Sequence, residues 1–330
     1  ALTVPIHPDI PGRESFAGPS FHSARWDHGV PLAGRRVAVI GTGASAIQFV
    51  PEIAGQVARL DLYQRTPPWI MPRPDRAISP TEQWLMRHLP GYQQLFRGLL
   101  YVQHEARVLG FVIDPRIMNL ARIVATRHIH RQIADPVLRR KVTPDYTIGC
   151  KRILVMNDYY PALTRPNVDV ITDGIREVTP TGIITTTGEL REVDAIIFGT
   201  GFAVADPLGG VPIAGLGGRD LHAHWQAEGV TAYRGCTIAG FPNLFMIAGP
   251  NTGLGHSSMI YMIESAVNYA VDAVKTLRTG LRAVDVRPEV QRAYNQRLQR
   301  RLARAVWASG CKSWYLGPDG HNFTLWPGFT

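Results

Sequence analysis

The apolar positions of this chain follow two rhythms. Residues 37–40 form an unbroken apolar run, short enough for a strand buried on both faces, and a helix follows directly. Residues 57–63 read as the second strand of the same unit, and Thr66-Pro67-Pro68-Trp69 ends it. From 82 to about 133 the period becomes helical, with Trp84, Leu85, Leu89, Leu95, Leu99, Val102, Leu120, Ile123 and Val124 on the apolar stripe. That stripe is expected to be core, with part of it available to border a substrate. Strands are expected at 168–172, 183–187 and 193–198, with Thr187-Gly188-Glu189 as a turn. Another short buried strand is expected at 244–248, then a Gly-rich loop (249–258) and a long helix to Leu277. Near the end, Val290, Tyr294, Leu298, Leu302 and Val306 recur every fourth position between arginines, the pattern of an amphipathic helix with a charged outer face.

The junction after the first strand carries chemistry. Gly41, Gly43 and Ala46 stand at the spacing of a dinucleotide-binding turn, with Thr42, Ala44 and Ser45 between them. Gly41 permits the reversal, Gly43 lets a pyrophosphate approach the backbone, and Ala46 allows helix and strand to pack closely. Free amides at the helix start then face the phosphates. Arg65 and Thr66 follow the second strand where an NAD enzyme carries an acidic residue. A guanidinium there suits a 2′-phosphate, so the expected nucleotide is NADPH; a solvated surface arginine is the plain alternative.

Composition narrows the setting. With 330 residues, 45% hydrophobic and 18% charged, the chain is long enough for two domains. Neither a membrane-spanning run nor a charged-then-apolar leader is visible, so a cytoplasmic protein is expected. Cys150, Cys236 and Cys311 are odd in number, widely spaced and never in a C-x-x-C pair, which speaks against a disulfide framework and a dithiol centre. The net charge of +9 raises nucleic acid and anionic membranes as partners, but no nucleic-acid signature accompanies the basic C-terminal helix. Metal-ligand spacing is absent as well, and the oligomeric state is not legible. The chain opens on Ala1 with an extended Pro-containing stretch, so a fragment is expected.

Just ahead of the first strand, Phe16, Gly18, His22 and Trp26 spell F-x-G-x-x-x-H-x-x-x-W. This matches the fingerprint of Baeyer-Villiger monooxygenases, and with the dinucleotide turn behind it the chain resembles that family of flavoproteins over nearly its whole length, from Phe16 to Trp326. The resemblance implies an α/β fold of the two-dinucleotide-binding flavoprotein type. Residues 1–27 would be a linker, 28–205 an NADPH-binding domain with a helical insertion at about 75–140, and 206–330 the C-terminal part of an FAD and substrate domain. An N-terminal FAD-binding half-domain would be missing.

The activity implied is oxygenation of a ketone to an ester or lactone, using FAD, NADPH and O2 by way of a flavin peroxide. In Gly149-Cys150-Lys151-Arg152 the resemblance makes Arg152 the active-site arginine and sets Lys151 beside Arg65 and Thr66 at the nucleotide phosphate. It marks Thr200 and Gly201 as the crossing back to the flavin domain. His256 and Met259 would lie near the flavin pocket, and Trp314, in Cys311-Lys312-Ser313-Trp314-Tyr315, would reach the active-site region. Two readings stay open beside it: a flavin monooxygenase that oxygenates nitrogen or sulfur, and an NADPH-binding fragment without turnover.

Overall fold

The strand expected at residues 37–40 forms the centre of a five-stranded parallel sheet. In the computed structural model, which describes residues 4–203, 211–317 and 319–330, the strands in chain order are β1 (Ser20–His22), β2 (Arg36–Ile40), β3 (Arg59–Tyr63), β4 (Ile70–Met71), β5 (Leu154–Val155), β6 (Val168–Ile171), β7 (Ile175–Thr179), β8 (Gly182–Thr185), β9 (Leu190–Glu192) and β10 (Ala195–Phe198). The α-helices are α1 (Ala46–Ala54), α2 (Pro80–His88), α3 (Tyr92–Glu105), α4 (Met118–Gln132), α5 (Pro136–Val142), α6 (Tyr159–Leu163), α7 (Leu221–Glu228), α8 (Met259–Leu277) and α9 (Pro288–Leu302). The chain divides into two compact units, one of Ala1–Pro74, Leu120–Asp145 and Arg152–Gly209, the other of Asp75–Asn119, Tyr146–Lys151 and Gly210–Thr330. The expected domain boundary at 205/206 lies outside the described residues.

The first unit is built on the sheet β1-β10-β2-β3-β6, every neighbouring pair parallel. One face meets α1, whose Ala46, Ile47, Val50, Ile53 and Ala54 are buried. The other carries Ala38, Ile40, Tyr63, Ile171, Ile196 and Phe198 against Val178, Ile183 and Val193. Covering both faces explains why β2 and β10 read as continuous apolar runs. The second face is closed by the antiparallel meander β7-β8-β9, of which only the segment around β8 was expected from sequence.

A charge network fastens that meander to the sheet. Asp61 on β3 is fully buried, on the same face as Ala38, and Arg191 on β9 clasps it with Nη2 2.8 Å from Oδ1 and Nε 3.2 Å from Oδ2. Arg59 adds a second bidentate contact at 3.1 Å, and Arg191 also holds Asp169, the β6 neighbour of Asp61 in register. Hydrogen bonding to Asp61 raises the Arg191 pKa further, so the guanidinium stays charged at any working pH.

In the second unit the core centres on Trp307, Phe111, Val306, Leu298 and Leu302. A Cβ on Gly255 would lie 3.0 Å from the Trp307 ring, and one on Gly149 would lie 2.9 Å from Met118 Cε. Helix α9 matches its expected outline, yet its buried stripe includes polar groups: Gln291 accepts from Ala239 N at 2.8 Å and Asn295 donates to Ala232 O at 3.2 Å.

Three sequence expectations are corrected. Residues 244–248 form no strand; Met246 N donates to Cys236 O, Ile247 is exposed, and no strand lies alongside among the described residues. An apolar run signals burial, but a strand needs a partner with which to pair. The helical stripe is not core, since Trp84, Leu95, Leu99, Val102 and Leu120 are each at least 58% exposed; periodicity marks a face without saying what covers it. Finally, Cys150 and Cys311 are joined as a disulfide, with Cα atoms 6.2 Å apart, although 161 residues separate them in sequence. Linear spacing carried no sign of that pairing; Cys236 is the buried free thiol.

Replacing Asp61 with Ala leaves Arg191 without its main partner beside a buried face, and is expected to destabilise the chain by roughly 3 kcal/mol. The urea midpoint measures this, and a value within experimental error of the parent would show that the network does not hold the meander.

Candidate functional site

The ends of β2 and β10 define the first part of the site. In a parallel sheet, ligands settle beyond the C-terminal strand ends, where the winding changes direction. Here β3 and β6 lie to one side of β2 and β10 and β1 to the other, so the change falls between β2 and β10. The turn at Gly41 and the turn at Gly199-Thr200-Gly201 meet there: Gly199 N donates to Ile40 O at 2.8 Å. Gly41 has φ +108°, and a Cβ on it would lie 2.5 Å from Gly199 O. Ala46, fully buried, would contact a Gly199 Cβ at 3.4 Å.

Gly43 differs from Gly41. A Cβ there would find its nearest neighbour 4.0 Å away, so the fold itself does not demand a glycine. Helix α1 begins without a side-chain cap, and the amides of Gly43, Ala44, Ser45 and Ala46 donate to no other described residue. A row of unpaired N–H groups at the positive end of a helix is a cradle for phosphate.

Thr42 Oγ1 donates to Thr66 O at 3.2 Å, tying the segment after β3 to this turn. Arg65 is exposed and makes no ion pair among the described residues. Thr200 Oγ1 donates to Ile6 O, and Gly201 holds φ +87° while accepting from Ile6 N at 2.9 Å. Arg152 reaches the same unit by another route. Parallel pairing of β4 with β5 sets Ile70 opposite Leu154, so Arg152 stands at the level of Pro68, two residues beyond Thr66. Arg152 is exposed as well.

The fingerprint residues surround β1, at the sheet edge. Gly18 has a packing reason: a Cβ would lie 2.7 Å from Asp194 O and 2.8 Å from the Phe16 ring. Trp26 meets Phe21 and Phe49 edge-on at 5.4 and 5.3 Å, bridging β1 to α1. His22 is buried, and its Nδ1 accepts from Ala24 N at 3.1 Å. Burial, with His7 next, lowers its pKa, which favours the neutral imidazole.

The second unit holds Lys151, His256, Met259 and Trp314. The Lys151 ammonium lies 4.7 Å from the Tyr146 ring centroid. Met259 opens α8, where Ser258 Oγ accepts from Ile260 N at 3.3 Å, as sequence allowed. Trp314 is 43% exposed and tilts on Tyr315, so it is not core. His256 is interior, near Phe111, with Nε2 3.8 Å from Glu105 Oε2. Glu105 in turn accepts from Thr330 N and Oγ1 at 3.0 and 2.8 Å.

Sequence reasoning missed what shapes the Gly-rich loop. Asn251 is buried at φ +56° and donates to Asn322 O and Leu325 O, while Asn251 N and Gly253 N donate to Phe323 O and Thr324 O. Asn322 Oδ1 accepts from Leu325 N at 3.0 Å. An Asn in a Gly-rich turn was the available signal, since Asn tolerates the left-handed region best after Gly.

Burial lowers the His256 pKa, and Glu105 opposes this less strongly. The unfolded chain therefore takes up a proton on His256 before the folded chain does, and stability falls as pH drops through the unfolded value of about 6.5. His256→Gln should make the decline in urea midpoint between about pH 7 and pH 5.5 shallower; an unchanged slope would contradict this.

Among the described residues, no helix is long and apolar enough to cross a membrane, and no cluster of His, Cys, Asp and Glu could hold a metal. The sequence matches the flavin-binding monooxygenase-like family over residues 3–214. It is 59% identical to a Baeyer-Villiger monooxygenase of Pseudomonas aeruginosa and 51% identical to one of Streptomyces coelicolor, in each case over 100% of this chain. The chain spans 63% and 64% of the length of those relatives. An oxidised steroid monooxygenase bound to NADP superposes with a TM-score of 0.84 at 29% identity, covering 99% of this chain and 69% of that one. Cyclohexanone monooxygenase from Rhodococcus sp. Phi1 bound to NADP+ also gives 0.84, at 27% identity over 98% of this chain and 68% of that one. Since that family model matches well over half of its length, the chain belongs to the flavin-binding monooxygenase-like family.

Proposed function

We propose that the protein is an FAD- and NADPH-dependent monooxygenase that inserts one oxygen atom of O2 into a ketone to give an ester or lactone. The observation that carries this reading is the cradle of unpaired amides at 43–46 with Arg65 and Thr66 beside it. It suits a dinucleotide bearing a 2′-phosphate, and it stands in a chain whose relatives are named Baeyer-Villiger monooxygenases. Residues 28–205, with the insertion at about 75–140, serve as the NADPH domain. Residues 206–330 serve as part of the FAD and substrate domain. A cytoplasmic location belongs to the same reading.

The residues fit both cofactors. Thr42, Gly43, Ala44, Ser45 and Ala46 would take the NADPH pyrophosphate. Arg65 and Thr66, joined by Lys151, would take its 2′-phosphate, and Thr200 and Gly201 would line the turn beside it. Toward FAD, the loop before α8 offers Ser257 Oγ, buried without a hydrogen-bond partner among the described residues, and amides from 254 to 259 that donate to none of them. Met259 stands at that helix start, and His256 and Trp314 are the candidate active-site side chains. When bound, NADPH supplies the reducing hydride and FAD the means of activating O2.

Arg152 has the role of an electrophilic clamp. A ketone oxygen gains negative charge as its carbonyl carbon is attacked, and a planar, permanently charged donor stabilises that oxygen without itself changing protonation. No proton transfer is asked of it.

In the full-length protein, Arg152→Ala should lower ester formation from a ketone about a hundredfold while NADPH still reduces the flavin. Normal ester yield would overturn the assignment. A paired substitution separates fold from ligand at the turn. Gly41→Ala should cost roughly 2 kcal/mol or more of stability, because the new Cβ meets Gly199 O at a left-handed φ. Gly43→Ala should leave the melting temperature nearly unchanged and weaken NADPH binding at least about tenfold. Equal loss of stability in both variants would remove the argument for a ligand at Gly43.

A further inference from the structure

Two of the three cysteines meet where the function has no use for them. Cys150 is fully buried and directly precedes Lys151, whereas Cys311 is partly exposed and stands three residues before Trp314. Their Cα atoms, 6.2 Å apart, lie within the span that a disulfide bridges. Cys311 also lines a cavity of about 500 Å³ with Gln299, Trp307, Lys312, Ser313 and Asn322, through which a small reagent reaches the sulfur. The backbone around it is weakly held: the amides of Gly310, Cys311, Lys312 and Ser313 donate to no other described residue, and Gly310 has φ +95°. This strap leads from the end of the core at Trp307 to the exposed Trp314.

We propose that Cys150 and Cys311 form a reversible thiol–disulfide site that clamps the strap at 310–314 to the turn bearing Lys151. Oxidised, the bond replaces the hydrogen bonds that the strap lacks; reduced, the strap opens. The oxidant is hydrogen peroxide. The Cys311 thiolate attacks one peroxide oxygen and breaks the O–O bond, giving a sulfenic acid and hydroxide, which is protonated to water. Cys150 then attacks the Cys311 sulfur, its proton leaves with the displaced hydroxide as a second water, and the disulfide forms. A dithiol reverses the reaction by two exchanges.

The bond and the strap stand independently of the proposed activity; only the effect on nucleotide binding rests on that reading, through Lys151. The test uses full-length protein treated with peroxide or with dithiothreitol. After alkylation and trypsin, the oxidised sample should yield residues 142–151 joined to residues 305–312, and Cys236 should remain free in both samples. Native proteolysis should cut after Lys312 about tenfold faster in reduced protein, because cleavage follows the population of the open strap. Cys311→Ser and Cys150→Ala should each be cut at the reduced rate under both treatments, while Cys236→Ser should behave as the parent. NADP+ affinity should fall with strap opening. Free thiols at 150 and 311 after peroxide, or equal cleavage in both states, would overturn the proposal. A confirmed disulfide and redox-dependent cleavage with unchanged NADP+ affinity would support the clamp and count against the placement of Lys151 at the nucleotide.

Discussion

The close approach of two turns, one at Gly41 and the other at Gly199, is the constraint on which the first unit depends. With a Cβ position of Gly41 only 2.5 Å from Gly199 O, β10 can lie in register with β2 only if the first turn has no side chain. That register sets Thr200 N 3.5 Å from a Cβ position on Gly41, and Ala46 against Gly199 at the end of β10. The helix therefore begins at the sheet end with its first amides unpartnered among the described residues. The anion site proposed here would follow from this packing without any charged side chain, and Arg65 would add selectivity to it.

The rest of the unit keeps those ends in place. Asp61, Arg59 and Arg191 fix the meander on one face, and β10 returns from that meander to the sheet centre. Trp26 and Phe49 join the edge strand to α1 on the other side. In the second unit, Asn251 and Asn322 shape the loop before α8 through main-chain contacts with residues 322–325. Both loops thus present, at a helix start, amides unpartnered among the described residues, and both are shaped by small or left-handed residues rather than by bulk.

What the sequence made legible was local. Strand β2, the turn, α1, α8 and α9 carry their own signatures in periodicity and in Gly and Ala spacing, and Arg65 was found by its distance from Ala46. The fingerprint was readable as a motif, but its physical content was not: Gly18 is required by Asp194 O, a residue far along the chain. The role of Asp61 left no local trace, because its partner Arg191 is 130 positions away. Cys150 and Cys311 looked unpaired for the same reason. The apolar stripe of α2 and α3 misled in the opposite sense, since its pattern is as regular as that of a core helix although its side chains are exposed. Contacts distant in sequence leave no periodic trace, and the sites that depend on them emerge only from the fold.

On the proposed reading, the turn and Arg65 together recognise a 2′-phosphorylated dinucleotide. Calorimetric titration of the protein with NADPH and then with NADH, before and after Arg65→Ala, measures this directly. The account predicts that NADPH binds the parent at least about tenfold more tightly than NADH, and that losing the guanidinium removes that preference while NADH affinity stays nearly the same. Equal affinities in the parent, or a preference that survives the substitution, would contradict it.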